Sequence, residues 1–226
     1  MRIGILQTGH APDEVQGDLG DYADMFQRLL DGRGDTFTTF NVVDGQFPED
    51  PGIADGWLIT GSKHGAYEDH AWIPPLEQLI RDIRDSGKPL IGVCFGHQII
   101  AQALGGKVEK FDKGWVIGRQ TYDFGDEVLA LNAWHQDQVI ELPEGAQVIA
   151  SNDFCANAAL IIGESILTIQ PHPEFNAAMI DALITHRGKG NVPDDLIAQA
   201  EAALTTPTSN TAFADRMLAF FNKGAK

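Results

Sequence analysis

The run Pro89-Leu90-Ile91-Gly92-Val93-Cys94-Phe95-Gly96-His97-Gln98 sets a strand, a sharp turn and a helix in immediate succession. Pro89–Val93 is a short apolar stretch of the kind that forms a strand buried on both faces of a parallel sheet. From Gln98 to Leu104 the apolar residues recur as on a helix. Between them, residues 92–96 have the form G-x-C-x-G, a nucleophile elbow with cysteine in place of serine. A turn that sharp leaves little room for a Cβ beside the nucleophile, and glycine relieves the crowding. Free N–H groups and the dipole at the start of the helix favour a thiolate over a thiol. The plainer alternative is a structural cysteine buried at a strand end.

Outward from this elbow the chain alternates strands with helices. Arg2–Gln7 reads as a first buried strand, followed by a Gly/Asp-rich loop. A helix is expected over Tyr22–Leu30, where Tyr22, Met25, Phe26, Leu29 and Leu30 share a face. Thr36–Val43 and Gly56–Thr60 read as strands. Ile73, Leu76, Leu79, Ile80 and Ile83 predict a helix with Pro74 and Pro75 in its first turn, where a missing N–H costs nothing, and with Gly87 at its end. From Trp115 to Gln170 strands prevail, and Ala158–Ile162 and Ile166–Gln170 flank Gly163-Glu164-Ser165 as a hairpin. Helices return as a tail from residue 176, over Ala177–His186, Asp194–Leu204 and Ala212–Phe221. The expectation is one α/β domain over residues 1–226, a mostly parallel sheet flanked by helices, with a helical C-terminal tail.

Composition limits the function classes. The 226 residues carry 16 basic and 32 acidic side chains, a net charge of −16, which repels phosphate backbones and argues against a nucleic-acid partner. Hydrophobic residues at 43% and charged residues at 21% match a folded chain and not a disordered one. Two cysteines outside any CxxC pair exclude a disulfide scaffold and thioredoxin-like redox. No apolar run approaches the roughly 18 residues of a membrane span. The amino terminus lacks a secretory cleavage pattern, so a cytoplasmic location is expected.

A thiol nucleophile needs a base, and the base needs an orienting group. Gln170-Pro171-His172-Pro173-Glu174 follows an apolar strand. The prolines bias Gln170 and His172 to extended backbone, and in extended backbone His172 and Glu174 project to the same side. A rigid surface turn is the competing reading. The strand that ends at Gln170 could instead lie beside the elbow strand and bring the imidazole to Cys94.

Gly92-Val93-Cys94-Phe95-Gly96-His97-Gln98 together with His172-Pro173-Glu174 resembles the class I glutamine amidotransferase family, as in the amidotransferase domain of GMP synthetase. The resemblance covers about residues 1–176. It implies a flavodoxin-like fold and a Cys94–His172–Glu174 triad that forms a γ-glutamyl thioester. In that mechanism His172 protonates the departing ammonia while Glu174 holds the imidazole. Ile59-Thr60-Gly61-Ser62 stands at the family's Gly-rich oxyanion loop. Backbone N–H groups of Phe95 and of Ser62 or Gly61 would then bind the oxyanion, at about 3 kcal/mol per donor. Gln98 and the segment near His135 are implied to line the substrate. Trp134-His135-Gln136-Asp137 stands where GMP synthetases carry Ser-His-Gly-Asp, so Trp134 is expected to add a flat apolar wall.

The other candidates carry blander readings. Cys155 lacks elbow glycines and reads as structural. His97 reads as a packing residue. His64 reads as an exposed loop histidine, with closure over the substrate as its alternative. No metal cluster is read, because His172 and Glu174 are better used in the triad, and no cofactor is expected. The chain has no GxxxxGK[ST] loop, and family amidotransferases send ammonia to a synthetase. The expectation is therefore an enzyme acting on a small molecule, glutamine or a γ-glutamyl compound, with a synthetase subunit in trans as a possible partner. The alternatives are a γ-glutamyl hydrolase or peptidase, and a catalytically silent binding or regulatory module.

Overall fold

The alternation of strand and helix becomes a sheet covered on both faces in the computed structural model, which describes residues 1–32 and 34–223. In chain order the first half runs β1 (Arg2–Gln7), α1 (Asp13–Leu19), α2 (Tyr22–Leu30), β2 (Thr36–Asn41), β3 (Gly56–Ile59), α3 (Ile73–Asp85), β4 (Leu90–Val93) and α4 (Phe95–Ala103). Strands follow: β5 (Lys107–Lys110), β6 (Val116–Asp123), β7 (Val128–His135), β8 (Asp137–Glu141), β9 (Ala146–Ala150), β10 (Ala159–Ile162) and β11 (Ile166–Ile169). The tail holds α5 (Ala177–Leu183), α6 (Asp194–Ala203) and α7 (Asn210–Lys223).

Seven strands form one sheet in the order β2-β1-β3-β4-β11-β10-β9. The first five are mutually parallel, and β10 runs antiparallel to both β11 and β9. β10 and β11 close the expected hairpin, with Ile162 opposite Ile166. Two further ribbons pair β5 with β8 and β6 with β7.

Alternate residues of the central strands enter two separate cores, as a doubly covered sheet requires. Ile3, Ile5, Leu58, Ile91 and Val93 pack with Phe26, Met217 and Phe221 from α2 and α7. On the other face Leu6, Trp57, Ile59 and Leu90 pack with Leu76, Ile80, Ile83, Ile99 and Ile100 from α3 and α4. A third cluster joins α1, α2, α5 and α6 to β6 through Val15, Met25, Ile117, Ile180 and Ile197.

Where the structure departs from the sequence expectation, burial explains it. α1 occupies part of the expected loop, and only Val15 on it is buried, too little for a periodic signal. β5 likewise buries only Val108. The strand expected over 36–43 ends at Asn41, where Val42–Asp44 makes a 3₁₀ turn closed by Gly45 at φ 81°. The helix expected over 177–186 is α-helical to Leu183 and then widens into a π turn over Ile184–Gly188. Pro74 and Pro75 do sit in the first turn of α3. Among the described residues no helix is long and apolar enough to cross a membrane.

β4 and β11 are neighbours and parallel, with Ile169 opposite Val93. The Cys94 N–H donates to the Ile169 carbonyl at 2.8 Å. The residues that follow both strands therefore emerge at the same edge, the carboxyl ends of parallel strands where α/β sheets bind their ligands.

Candidate active site

Cys94 sits at the junction of β4 and α4 with φ 53° and ψ −103°, and is the one non-glycine residue with positive φ among the described residues. Such a conformation persists only where its surroundings enforce it. A Cβ on Gly92 would lie 2.5 Å from the Gly96 carbonyl oxygen, and one on Gly96 would lie 2.4 Å from the Ile59 carbonyl oxygen. The crowding read from the sequence is present, and half of it comes from β3 and not from the turn itself. The Gly96 N–H donates to the Thr60 carbonyl at 3.1 Å, which ties the elbow to the loop after β3. α4 begins at Phe95, three residues before the helical pattern becomes visible in the sequence. The Phe95 N–H, first in the helix, has no carbonyl behind it to accept its hydrogen within the helix.

His172 and Glu174 converge with Nδ1 and Oε1 2.6 Å apart, both side chains buried. The segment does not stay extended as expected. His172 N–H donates to Asn132 O of β7 at 2.8 Å, and Phe175 N–H folds back to His172 O at 3.3 Å. A turn at Pro173, and not strand alternation, brings the carboxylate under the ring. Phe175 stacks flat on the imidazole, with centroids 3.9 Å apart and planes at 3°. Asn132 Nδ2 donates to the Phe175 carbonyl at 2.9 Å and fixes that turn from β7. Phe175 and Asn132 are not singled out by the sequence, since an aromatic after the HPE segment has no motif of its own.

With Nδ1 directed at Glu174, Nε2 is the imidazole nitrogen left for Cys94, whose Cβ lies with the ring's Cε1 around Gly61. Burial disfavours charge on His172. The negative charge of Glu174 at Nδ1, with the neighbouring Cys94, outweighs burial and raises its pKa.

Gly61 completes the cluster. A Cβ there would lie 2.8 Å from His172 Cε1 and 3.6 Å from Cys94 Cβ, so only glycine lets the imidazole approach. The Gly61 carbonyl accepts from the hydroxyls of Thr8 at 3.1 Å and Thr60 at 3.0 Å, inside the fold. A trans peptide points its N–H opposite to its C=O, so this anchoring aims the Ser62 N–H away from the threonines.

Gln98 is buried, and its Nε2 donates to Asp137 O at 2.9 Å and Gln170 Oε1 at 3.1 Å, so both of its N–H hydrogens are held by protein. His135 lies beside His172; its Nδ1 is 3.2 Å from Asp137 O and its buried Nε2 has no partner. Burial, with His172 as a second cause, lowers its pKa to about 3, so the ring is neutral. Trp134, next along β7, turns to the opposite side and packs on Trp115 with centroids 6.2 Å apart. A Cβ on Gly188 would come 3.3 Å from its ring, so Trp134 packs against the tail and not against Cys94. His97 Nδ1 contacts Thr168 Oγ1 at 2.7 Å, and burial lowers its pKa to about 3.

Cys155 lies in the core beside β10, where burial pushes its thiol up to about 12. At neutral pH it is un-ionised, and iodoacetamide reacts with thiolates. Iodoacetamide near pH 7 is therefore expected to modify Cys94 well before Cys155. Peptide mapping that finds Cys155 modified first, or both at one slow rate, would remove Cys94 from the nucleophile's place.

Against protein-family profiles, residues 53–187 match the family described as glutamine amidotransferase class-I, a span that holds the elbow, the Gly61 loop and the His172 turn. Gamma-glutamyl peptidase 3 of Arabidopsis thaliana is 34% identical over 221 residues, 90% of this chain and 87% of that protein. Gamma-glutamyl peptidase 4 of the same plant is 38% identical over 181 residues, 73% of this chain and 72% of that protein. In solved structures the fold recurs in a glutamine amidotransferase from Thermotoga maritima, with a TM-score of 0.76 at 20% identity over 100% of this chain and 98% of that one. With its family profile matched over more than half its length and relatives above 30% identity along most of it, the chain belongs to the class I glutamine amidotransferase family.

Proposed function

We propose that this chain hydrolyses the γ-amide of a small γ-glutamyl compound or of glutamine, with Cys94 as nucleophile, His172 as acid and base, and Glu174 as the orienting carboxylate. The observation that carries this reading is the imidazole held between Cys94 and Glu174 at the ends of two adjacent parallel strands. Cys94 Sγ attacks the γ-carbonyl carbon, and the oxygen becomes an oxyanion. The N–H groups of Phe95 and of Ser62 or Gly61 receive it. The C–N bond then breaks, and the proton on His172 goes to the departing amine. Water attacks the γ-glutamyl thioester, gives a proton to His172, and releases glutamate as Cys94 is restored. Glu174, through its contact with Nδ1, stabilises the imidazolium that forms in each half.

The neutral rings of His97 and His135 add no positive charge beside His172, so the imidazolium has its negative partners to itself. Gln98 and His135 act here by holding the 134–137 segment at the substrate wall. The names of the two Arabidopsis relatives support a γ-glutamyl substrate over free glutamine. The runner-up is a glutaminase that hands ammonia to a synthetase in trans, which the family match supports.

A substrate panel separates the two. A γ-glutamyl amide of an alkyl or aromatic amine is expected to exceed glutamine in kcat/KM by about 10–200-fold, the range one apolar contact supplies. Trp134→Ser, which removes a ring that packs on Trp115 and faces away from Cys94, is expected to leave that gap unchanged. Glutamine as the best substrate of the panel would favour the synthetase reading. Absence of amine release from every member would make the chain a binding or regulatory module.

A further inference from the structure

His64-Gly65-Ala66-Tyr67-Glu68-Asp69-His70 passes in sequence for an exposed loop, with no cluster of ligand spacing evident. The fold gathers three of its side chains. We propose that His64, Glu68 and His70 form a binding site for a divalent transition-metal cation of zinc-like preference, on the loop between β3 and α3.

The geometry carries the proposal. One ligand atom from each residue lies within 4.8 Å of the others. Glu68 Oε2 is 2.7 Å from His70 Nε2 and 3.3 Å from His64 Nδ1. Metal–ligand bonds of about 2.0–2.2 Å in a tetrahedron put neighbouring donors about 3.3 Å apart, so a small opening of the cluster admits the ion. Two imidazoles and one carboxylate suit zinc and its transition-metal neighbours, and not magnesium or calcium, which take oxygen ligands.

The donors are also held in place by packing and backbone turns. The rings of His64 and His70 meet edge-on with centroids 4.2 Å apart. His70 stacks on Trp72 at 5.7 Å and 10°, and Trp72 packs on Phe95 at 5.5 Å, so the ring is held by packing. Backbone turns set the spacing: Glu68 N–H donates to Gly65 O at 3.1 Å and His70 N–H to Glu68 O at 3.0 Å. The three side chains remain 22–43% exposed, so a fourth coordination position faces solvent. A bound ion would pin a loop that starts two residues after Ser62.

The competing account is an exposed ion-pair network of Glu68 with protonated histidines, an interaction that contributes little. Metal titration distinguishes the two. Untagged protein carrying Cys94→Ala, which removes the competing thiolate, is stripped with chelator and titrated with Zn²⁺ by calorimetry and with Co²⁺ by visible absorption. One Zn²⁺ per chain with a Kd of about 10 µM or tighter is expected, and cobalt bands that zinc bleaches. His64→Ala, His70→Ala and the near-isosteric Glu68→Gln should each weaken binding at least about tenfold, since even partners outside the ligand set are worth 10–100-fold. Far-UV circular dichroism checks that each variant is folded, and Glu68→Gln serves where an alanine variant is not. No saturable binding, or equal affinity in the folded variants, would overturn the site. Turnover plays no part in these readouts, so they stand or fall apart from the proposed hydrolysis.

Discussion

His172→Ala is expected to lower kcat by about 10⁴-fold or to below detection, because it removes the group that moves the proton in both halves of the reaction. Glu174→Gln should leave a measurable remnant, at most about 10⁴-fold below the parent, since in the proposed mechanism Glu174 orients the ring and transfers no proton. The burial of the pair sharpens that second expectation. Glu174 Oε1 contacts His172 Nδ1 at 2.6 Å, while Oε2 is buried without a partner. A glutamine amide must place its NH₂ either against Nδ1, forcing the other tautomer, or in the buried pocket with its hydrogens unmatched. A buried donor left without an acceptor costs about 1–3 kcal/mol. Steady-state rates on the best substrate of the panel measure the chemistry, and intact mass after rapid quenching measures acylation of Cys94. Near-normal turnover by His172→Ala would end the triad assignment.

Gly61→Ala is the second large effect, and it separates catalytic placement from folding. The added methyl would lie 2.8 Å from His172 Cε1, so the imidazole must shift. A displacement of about 1 Å at a reacting group costs about 10²-fold in rate, and kcat is expected to fall by that factor. Stability should fall by only about 1–3 kcal/mol, as for a methyl added to a packed core, because a side chain is able to yield. Gly96→Ala is the control. Its methyl would lie 2.4 Å from the Ile59 carbonyl oxygen, main chain that cannot yield without moving β3. Thermal unfolding should therefore separate the two, with Gly96→Ala the less stable and Gly61→Ala the better folded but slow enzyme. Parent-like kcat in Gly61→Ala would show that the imidazole has room the structure denies it.

Most of the sheet was legible because its strands are buried on both faces. RIGILQ, GWLI, LIGV and ILTI are unbroken apolar or nearly apolar runs, and no other placement removes all of those side chains from water. α1 and β5 were hidden for the opposite reason, each burying a single side chain. The candidate site divides along the same line. Cys94 stood out because a strained elbow forces glycines on both sides of it, a local constraint that leaves a local pattern.

His172 and Glu174 are visible as a pair in the sequence, but a turn at Pro173, clamped by Asn132 and Phe175, and not extended backbone, makes them converge. Trp134 illustrates the limit more sharply. Its neighbour His135 lies beside His172 while Trp134 itself packs on Trp115, a choice of face made by the register of β7 against β6 and the His172 turn.

The sequence by itself determined most of the order of strands and helices and the elbow around Cys94, since each of these rests on periodicity or steric demand within a few residues. Only the tertiary structure decided what meets across long separations. It alone seats β11 beside β4, Gly61 against the imidazole, and two loop histidines on one glutamate. Those contacts depend on strand pairing and packing between segments distant in the chain, and a one-dimensional pattern carries no record of them.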